Sequence, residues 1–469
     1  MLERLYQNTV LKKPKFILFI LILTILSFGY FSKEFKLDAS SDTLLLENDP
    51  DFLYLQEISE RYGNNEFLIL TYNPTLKITS DQTIEQLSKL KSDIEKFNWV
   101  KNVITILDIP LLENSEENIT EVLKNYKTLK SKNIDREKGF NEILNSPVFK
   151  NFIVSEDGSV TSIIVNIKKK NFINDKNISK KELDNIKQKQ KIQNRKNILE
   201  IRNLIEEYKN TNEKPQIYLG GVPMIADDMI TFIKKDIAVF GIGVFLFIIL
   251  TLWFVFRSLI WIIIPMLSCI SSVIIMTGIL ALVGWKVTVI SSNFIALMLI
   301  LTMAMNIHMS VRYLNISKEN RQMSNIDKIF LTTKKMFWPI VYTVLTTICA
   351  FMSLIFSQIK PIIDFGWMMT FGLIVSFVIT FTLLPIFLRI FNENNILINK
   401  EPGASFTNFL SDFTIKDTKF IFISTLVIII VSISGILKLE VENSFINYFS
   451  KKTEIYKGMK LIDQKLGGT

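Results

Sequence analysis

The sequence predicts a polytopic α-helical membrane protein, about seven transmembrane helices, with a large extracytoplasmic α+β domain of ferredoxin-like type. Three observations predict it. Hydrophobic residues make up 49% of the 469, high for a soluble protein. They gather into runs approaching or exceeding the roughly 20 residues that cross a bilayer. A polar stretch of domain size separates the first run from the rest, and within it strand-like and helix-like segments alternate.

The first run, Phe16 to Phe31, follows Lys12, Lys13 and Lys15. No small-x-small cleavage site follows it, so it reads as an uncleaved anchor. Six more runs are Ile237 to Phe256, Leu259 to Val283, Val287 to Val311, Phe337 to Phe356, Phe365 to Phe391 and Phe420 to Leu437. We call the seven the first to seventh spans. Lysine and arginine concentrate in the N-terminal tail, in the loop after the fourth span (Arg312 to Lys335) and after the sixth (Lys400, Lys416, Lys419). That bias puts these segments in the cytoplasm and the polar domain outside. The expected plan is a cytoplasmic tail (1–14), the first span (15–32), an extracytoplasmic domain (33–235), five spans (236–391), a cytoplasmic linker (392–418), the seventh span (419–437) and the start of a second outer domain (438–469).

In the outer domain, EFLILTY (66–72), WVKNVITIL (99–107), SVTSIIVNI (159–167) and PQIYLGG (215–221) read as strands. Residues 80–97 show helical apolar spacing behind a Ser-Asp start, and 178–209 form a long polar helix. The resulting β-α-β-β-α-β order is that of a ferredoxin-like sandwich, with a mainly helical insertion at about 111–150.

Net charge is +9, accounted for by the cytoplasmic loops and one lysine-rich stretch. Nucleic acid is a poor partner for an outer domain without a recognition motif. Cys269 and Cys349 both lie in apolar runs and suit neither a disulfide nor a metal. No phosphate-binding loop, metal-ligand cluster or nucleophile elbow is present, so the sequence points away from an enzyme and implies no cofactor.

An internal repeat stands out. KFILF at Lys15 returns as KFIFI at Lys419, and the residues after each run give a strand-like piece, an acidic turn and an amphipathic helix ending in glycine. The second copy stops at Thr469, from which the expectation is one half, plus a stub, of a longer protein. GGVPMIADDMITFIKKDI (220–237), FRSLIWIIIPML (256–267), NIHMSVRY (306–313), WPIVYTVLTTICAFMSLIF (338–356) and IKPIIDFGWMMTFG (359–372) complete the picture. With this topology they resemble the resistance-nodulation-division (RND) superfamily. More closely they resemble its MMPL-type and hopanoid-type transporters, whose second to sixth spans form a sterol-sensing-like domain. The resemblance implies a porter-like outer domain in the inner membrane of the cell. It also implies export of hydrophobic or lipid-like substrates, driven by an ion gradient through alternating conformations of two halves. A lipid-sensing module or a protein-export accessory is the other reading of the same fold. The implied partners are membrane lipids, a hydrophobic small molecule or lipid, and a second half or further copies of the chain.

Members of the superfamily carry a proton-coupling aspartate in the fourth span. Counted back from Arg312-Tyr313 it falls at Ala304 or Met305, both apolar here. His308, the only histidine, lies in the same helix and is the remaining candidate for a proton relay, a role that suits imidazole as a side-chain type. It competes with an interfacial role four residues from Arg312. Thr302, Asn306 and Asn293 are further candidate polar groups within the membrane. Gly220, Gly221 and Pro223 form a candidate hinge between outer domain and second span, with a plain strand end as the alternative. Asp364 is expected to cap the sixth span.

Overall fold

We describe the protein from a computed structural model. It describes residues 6–38, 66–112, 126–131, 134–168, 180–210, 214–357, 359–391, 404–439 and 445–467, with Pro50, Leu53, Tyr54, Glu57, Ile58 and Arg61. Parts of the expected insertion (113–125), of the cytoplasmic linker (392–403) and of the segment after the first span lie outside these residues. The chain divides into two compact units, Met1–Phe52 with Ile230–Val441, and Leu53–Met229 with Glu442–Thr469.

The first unit is helical. Among the described residues, seven helices are long and apolar enough to cross a membrane. They are Pro14–Phe31, Val222–Phe256, Ile260–Val283, Phe294–Glu319, Asn325–Met352, Lys360–Ile390 and Thr418–Ile436, one for each expected span. The second, fourth and fifth extend well beyond their apolar runs, because polar helix formers continue the helix where bilayer-length hydrophobicity has stopped. The turn between the second and third spans puts Arg257 at φ 48°, a left-handed position for a non-glycine residue.

The third, fourth and sixth helices form the centre. Trp261, Met309, Tyr313, Leu384 and Leu388 are buried in one cluster among them. The first helix packs on the third where Gly278 meets the Phe28 carbonyl, so close that any side chain would collide with that backbone. Small residues let membrane helices approach in this way, since apolar burial alone does not hold them together in lipid. Just past the first span, Lys36–Leu37 pairs in parallel with Lys286–Val287, and Lys286 Nζ donates to Asp38 Oδ2 at 3.1 Å. No residue of the seventh helix is buried.

One expectation is corrected. The sixth helix begins at Lys360 with Pro361 in its first turn, so Asp364 lies inside the helix and Ile359 holds the cap position. Proline is preorganised for a first turn and needs no amide partner there, which moves the start back.

The second unit is a four-stranded antiparallel sheet with helices. Its strands are β1 (Phe67–Asn73), β2 (Val100–Ile104), β3 (Thr161–Ile167) and β4 (Gln216–Gly220). The order across the sheet is β2-β3-β1-β4. Tyr72 of β1 pairs with Thr161 of β3 on one side and with Ile217 of β4 on the other. Leu68, Leu70 and Tyr72 are fully buried at period two, as a half-buried strand requires. They share the core with Leu87, Leu90 and Ile94 of helix α1 (Asp81–Glu95). The expected Ser-Asp start of α1 is there, with Ser80 accepting from the Thr83 amide. Helix α2 (Arg136–Asn145) is the described helical part of the insertion, whose edge is otherwise a bridge between Leu111 and Lys127. Helix α3 (Lys180–Lys209) buries Ile198, Ile201 and Ile205.

The last element is α4 (Glu454–Lys465), which follows the seventh span in the chain. It lies against β4. Gly458 sits over the Leu219 carbonyl, and Ile462 reaches Gly220. Ile462 and Leu466 close a small cluster with Val160.

Candidate functional site

The apolar fourth helix carries a line of polar residues on one face. Thr302, Asn306 and Ser310 recur every four residues and are all fully buried. That stride keeps them on one side of a helix. The sixth helix answers with Ser376 and Thr380 at the same spacing, both buried. The Thr302 hydroxyl donates to Ser376 Oγ at 2.7 Å. Asn306 Nδ2 donates to the Thr302 carbonyl at 2.8 Å and to Thr380 Oγ1 at 3.2 Å. A carbonyl only accepts, so the amide nitrogen must face it, and this fixes which way the Asn306 side chain points.

Three oxygens on this face have no hydrogen-bond partner among the described residues: Asn306 Oδ1, Ser310 Oγ and Ser317 Oγ. Further along, the Tyr313 hydroxyl donates to Asn325 Oδ1 at 2.8 Å, and Asn325 Nδ2 donates to the Leu388 carbonyl at 3.1 Å. The result is a neutral polar seam in the middle of the helical unit. Unsatisfied polar atoms cost several kcal/mol each in hydrocarbon, so they are scarce unless used.

His308 is not part of the seam. It is exposed, as is Ala304 one turn before it, on the opposite side of the helix from Asn306. Asn293 is also exposed, at the start of the helix, with no side-chain capping bond. Of the four intramembrane candidates, the structure brings together Thr302 and Asn306 alone. Ser310, Ser376 and Thr380 were not singled out by sequence. The signal for them was there, a stride of four in each of two separate apolar runs.

Residues 77–409 match the model of the MMPL family. The chain belongs to the MMPL family. Compared with curated proteins, it has no significant match. MMPL membership makes it a multi-pass membrane transporter of the RND class. Lipid is therefore its surroundings. In an MMPL transporter the polar seam lies where an apolar bundle has least reason to carry hydroxyls and amides.

The MMPL chain has a second polar cluster in its sheet unit. Arg202 of α3 donates through Nη2 to both oxygens of Asp228, at 2.9 and 2.8 Å, and through Nε to Glu454 of α4 at 3.1 Å. Burial by itself would lower the Arg202 guanidinium; the two carboxylates, Asp228 first, outweigh it and hold it above its ordinary value. The candidate hinge residues belong to the same unit. Gly221 has φ 108°, and a side chain there would strike the Phe67 carbonyl. Gly220 ends β4, and Pro223 is the second residue of the helix that begins at Val222.

Proposed function

We propose that this MMPL protein exports hydrophobic or lipid-like molecules across the inner membrane, driven by an ion gradient. It works by alternating conformations of two repeated halves. The sheet unit is the extracytoplasmic, ferredoxin-like porter domain, and Gly220, Gly221 and Pro223 serve as its hinge to the second span. The observation that carries the reading is the buried seam from Thr302 to Ser310 facing Ser376 and Thr380. A bundle with only a structural task gains nothing from partnerless oxygens in its core. The strand order β2-β3-β1-β4 supports the ferredoxin-like reading, and the lysine and arginine bias supports the orientation.

A second reading, a lipid-sensing module or protein-export accessory built on a sterol-sensing-like bundle, is favoured by one observation. The residues named in the seam are all neutral, so the usual proton carrier is not among them.

Reconstitution in vesicles decides between them. Export of a fluorescent lipid analogue that runs with an imposed ion gradient, and stops with the matching ionophore, is the expected result. Lipid binding without gradient-dependent movement would establish the sensory reading instead.

A further inference from the structure

The seam's chemistry is more specific than polarity. A proton relay needs a base, and an amide oxygen or a hydroxyl is not one at physiological pH. A metal cation needs only lone pairs. Asn306 Oδ1 and Ser310 Oγ both have them to spare, since both are fully buried and without a hydrogen-bond partner among the described residues. They lie one helical turn apart on the face that meets Thr380.

We propose that the Asn306–Ser310 turn of the fourth helix, with Thr380 opposite, binds a sodium ion; this rests on the ion-driven reading and names the ion. The ligand atoms are oxygens throughout, which suits a hard cation. The softer donors nearby are committed or turned away: the Cys269 thiol faces the Leu299 carbonyl at 3.6 Å, and His308 is exposed on the far side. Among the described residues no group of three His, Cys, Asp or Glu side chains could hold a transition metal. Charge selects a monovalent ion. Neutral oxygens replace the hydration shell of alkali cations in channel filters. A divalent ion buried in lipid needs carboxylates, and the seam residues include none. Geometry agrees. Four residues rise about 6 Å along a helix, and cations of this size hold oxygens at about 2.3–2.6 Å, so one ion draws on both positions once the two side chains turn toward it. Thr380 Oγ1, which accepts from Asn306 Nδ2 at 3.2 Å, is a further oxygen on the sixth helix beside this turn.

The test uses the purified full chain in detergent, melted in sodium, potassium and choline chloride at equal ionic strength, with radioactive sodium binding measured in parallel. The expected result is a melting temperature that rises with sodium concentration and saturates, as binding to the folded state requires. Ser310→Ala and Asn306→Ala should each abolish the sodium-specific rise and the bound counts. Ser310→Ala is the decisive variant, because deleting a partnerless hydroxyl leaves folding intact in choline. Identical melting in the three salts would overturn the site, as would a sodium effect that survives in both variants. Vesicle transport separates the layers. Sodium-driven export lost in Ser310→Ala supports the proposal. Export that follows a proton gradient without sodium overturns this site but leaves the ion-driven reading standing. Binding with no gradient-dependent movement overturns both.

Discussion

Asn306 and His308, two residues apart on the fourth helix, face opposite ways: the amide is fully buried against the sixth helix and the imidazole is exposed. Two residues turn a helix through about 200°, so no rotation of it buries both. The only histidine of the chain is therefore separated from the seam. His308→Ala should change stability by less than about 0.5 kcal/mol, as an exposed substitution does. It should also leave the pH profile of transport unmoved. Asn306→Ala removes two hydrogen bonds and should cost about 1–2 kcal/mol. Thermal melting of both variants, with a pH series of vesicle transport for His308→Ala, checks the contrast.

Gly278 is the tightest helix contact described. Gly278→Val should separate the first helix from the third and lower stability by more than about 2 kcal/mol, through overpacking against the Phe28 backbone. Gly241→Ala, in the second helix with open space around it, should be neutral or slightly stabilising. Melting of the two variants side by side tests whether the contact, rather than glycine in general, matters.

How much of this was legible beforehand differs by element. All seven spans were readable because bilayer length leaves a long apolar record. The four strands were readable because β1 to β4 alternate or run apolar between turn residues. The rotation of the fourth helix was not. It is apolar nearly all round, so its sequence names no inward face, and only packing against Ser376 and Thr380 selects Asn306 over His308. The partnership of Arg202 with Glu454 was equally hidden, since nothing local to either residue encodes a pairing 252 positions apart.

Arg202 ties α3 to Asp228 and to α4. Arg202→Met should leave two half-buried carboxylates without their cation and destabilise the sheet unit by about 1–3 kcal/mol. That is below the 3–5 kcal/mol of a fully buried pair, because these side chains retain 13–28% exposure. Arg202→Lys should recover less than half, since one ammonium cannot reproduce the two-directional fork. Limited proteolysis between α4 and the seventh span, compared across the variants, reads the loss.

The sheet unit should also weaken in acid. The Lys96 ammonium, and then the Tyr208 hydroxyl at 2.7 Å, hold the Asp93 carboxyl below its ordinary value of 3.8. A lowered native pKa adds stability that is fully present above the unfolded value and is lost as pH falls through the folded one. Lys96 is largely exposed, so the contribution stays under about 1 kcal/mol. Fluorescence of Trp99, the only tryptophan in the sheet unit, should show unfolding that steepens below about pH 4, with the dependence flattened in Asp93→Asn.

Helix α4 has a consequence for biosynthesis. The strands of the sheet are complete once Gly220 leaves the ribosome, but Ile462 and Leu466, which cover Val160, emerge more than two hundred residues later. At about 5–20 residues per second, the nascent sheet waits on the order of tens of seconds for its last helix. Throughout that time an apolar patch on its surface stays uncovered while six further helices are inserted. The cell must therefore shield a half-finished domain until synthesis of its last helix catches up.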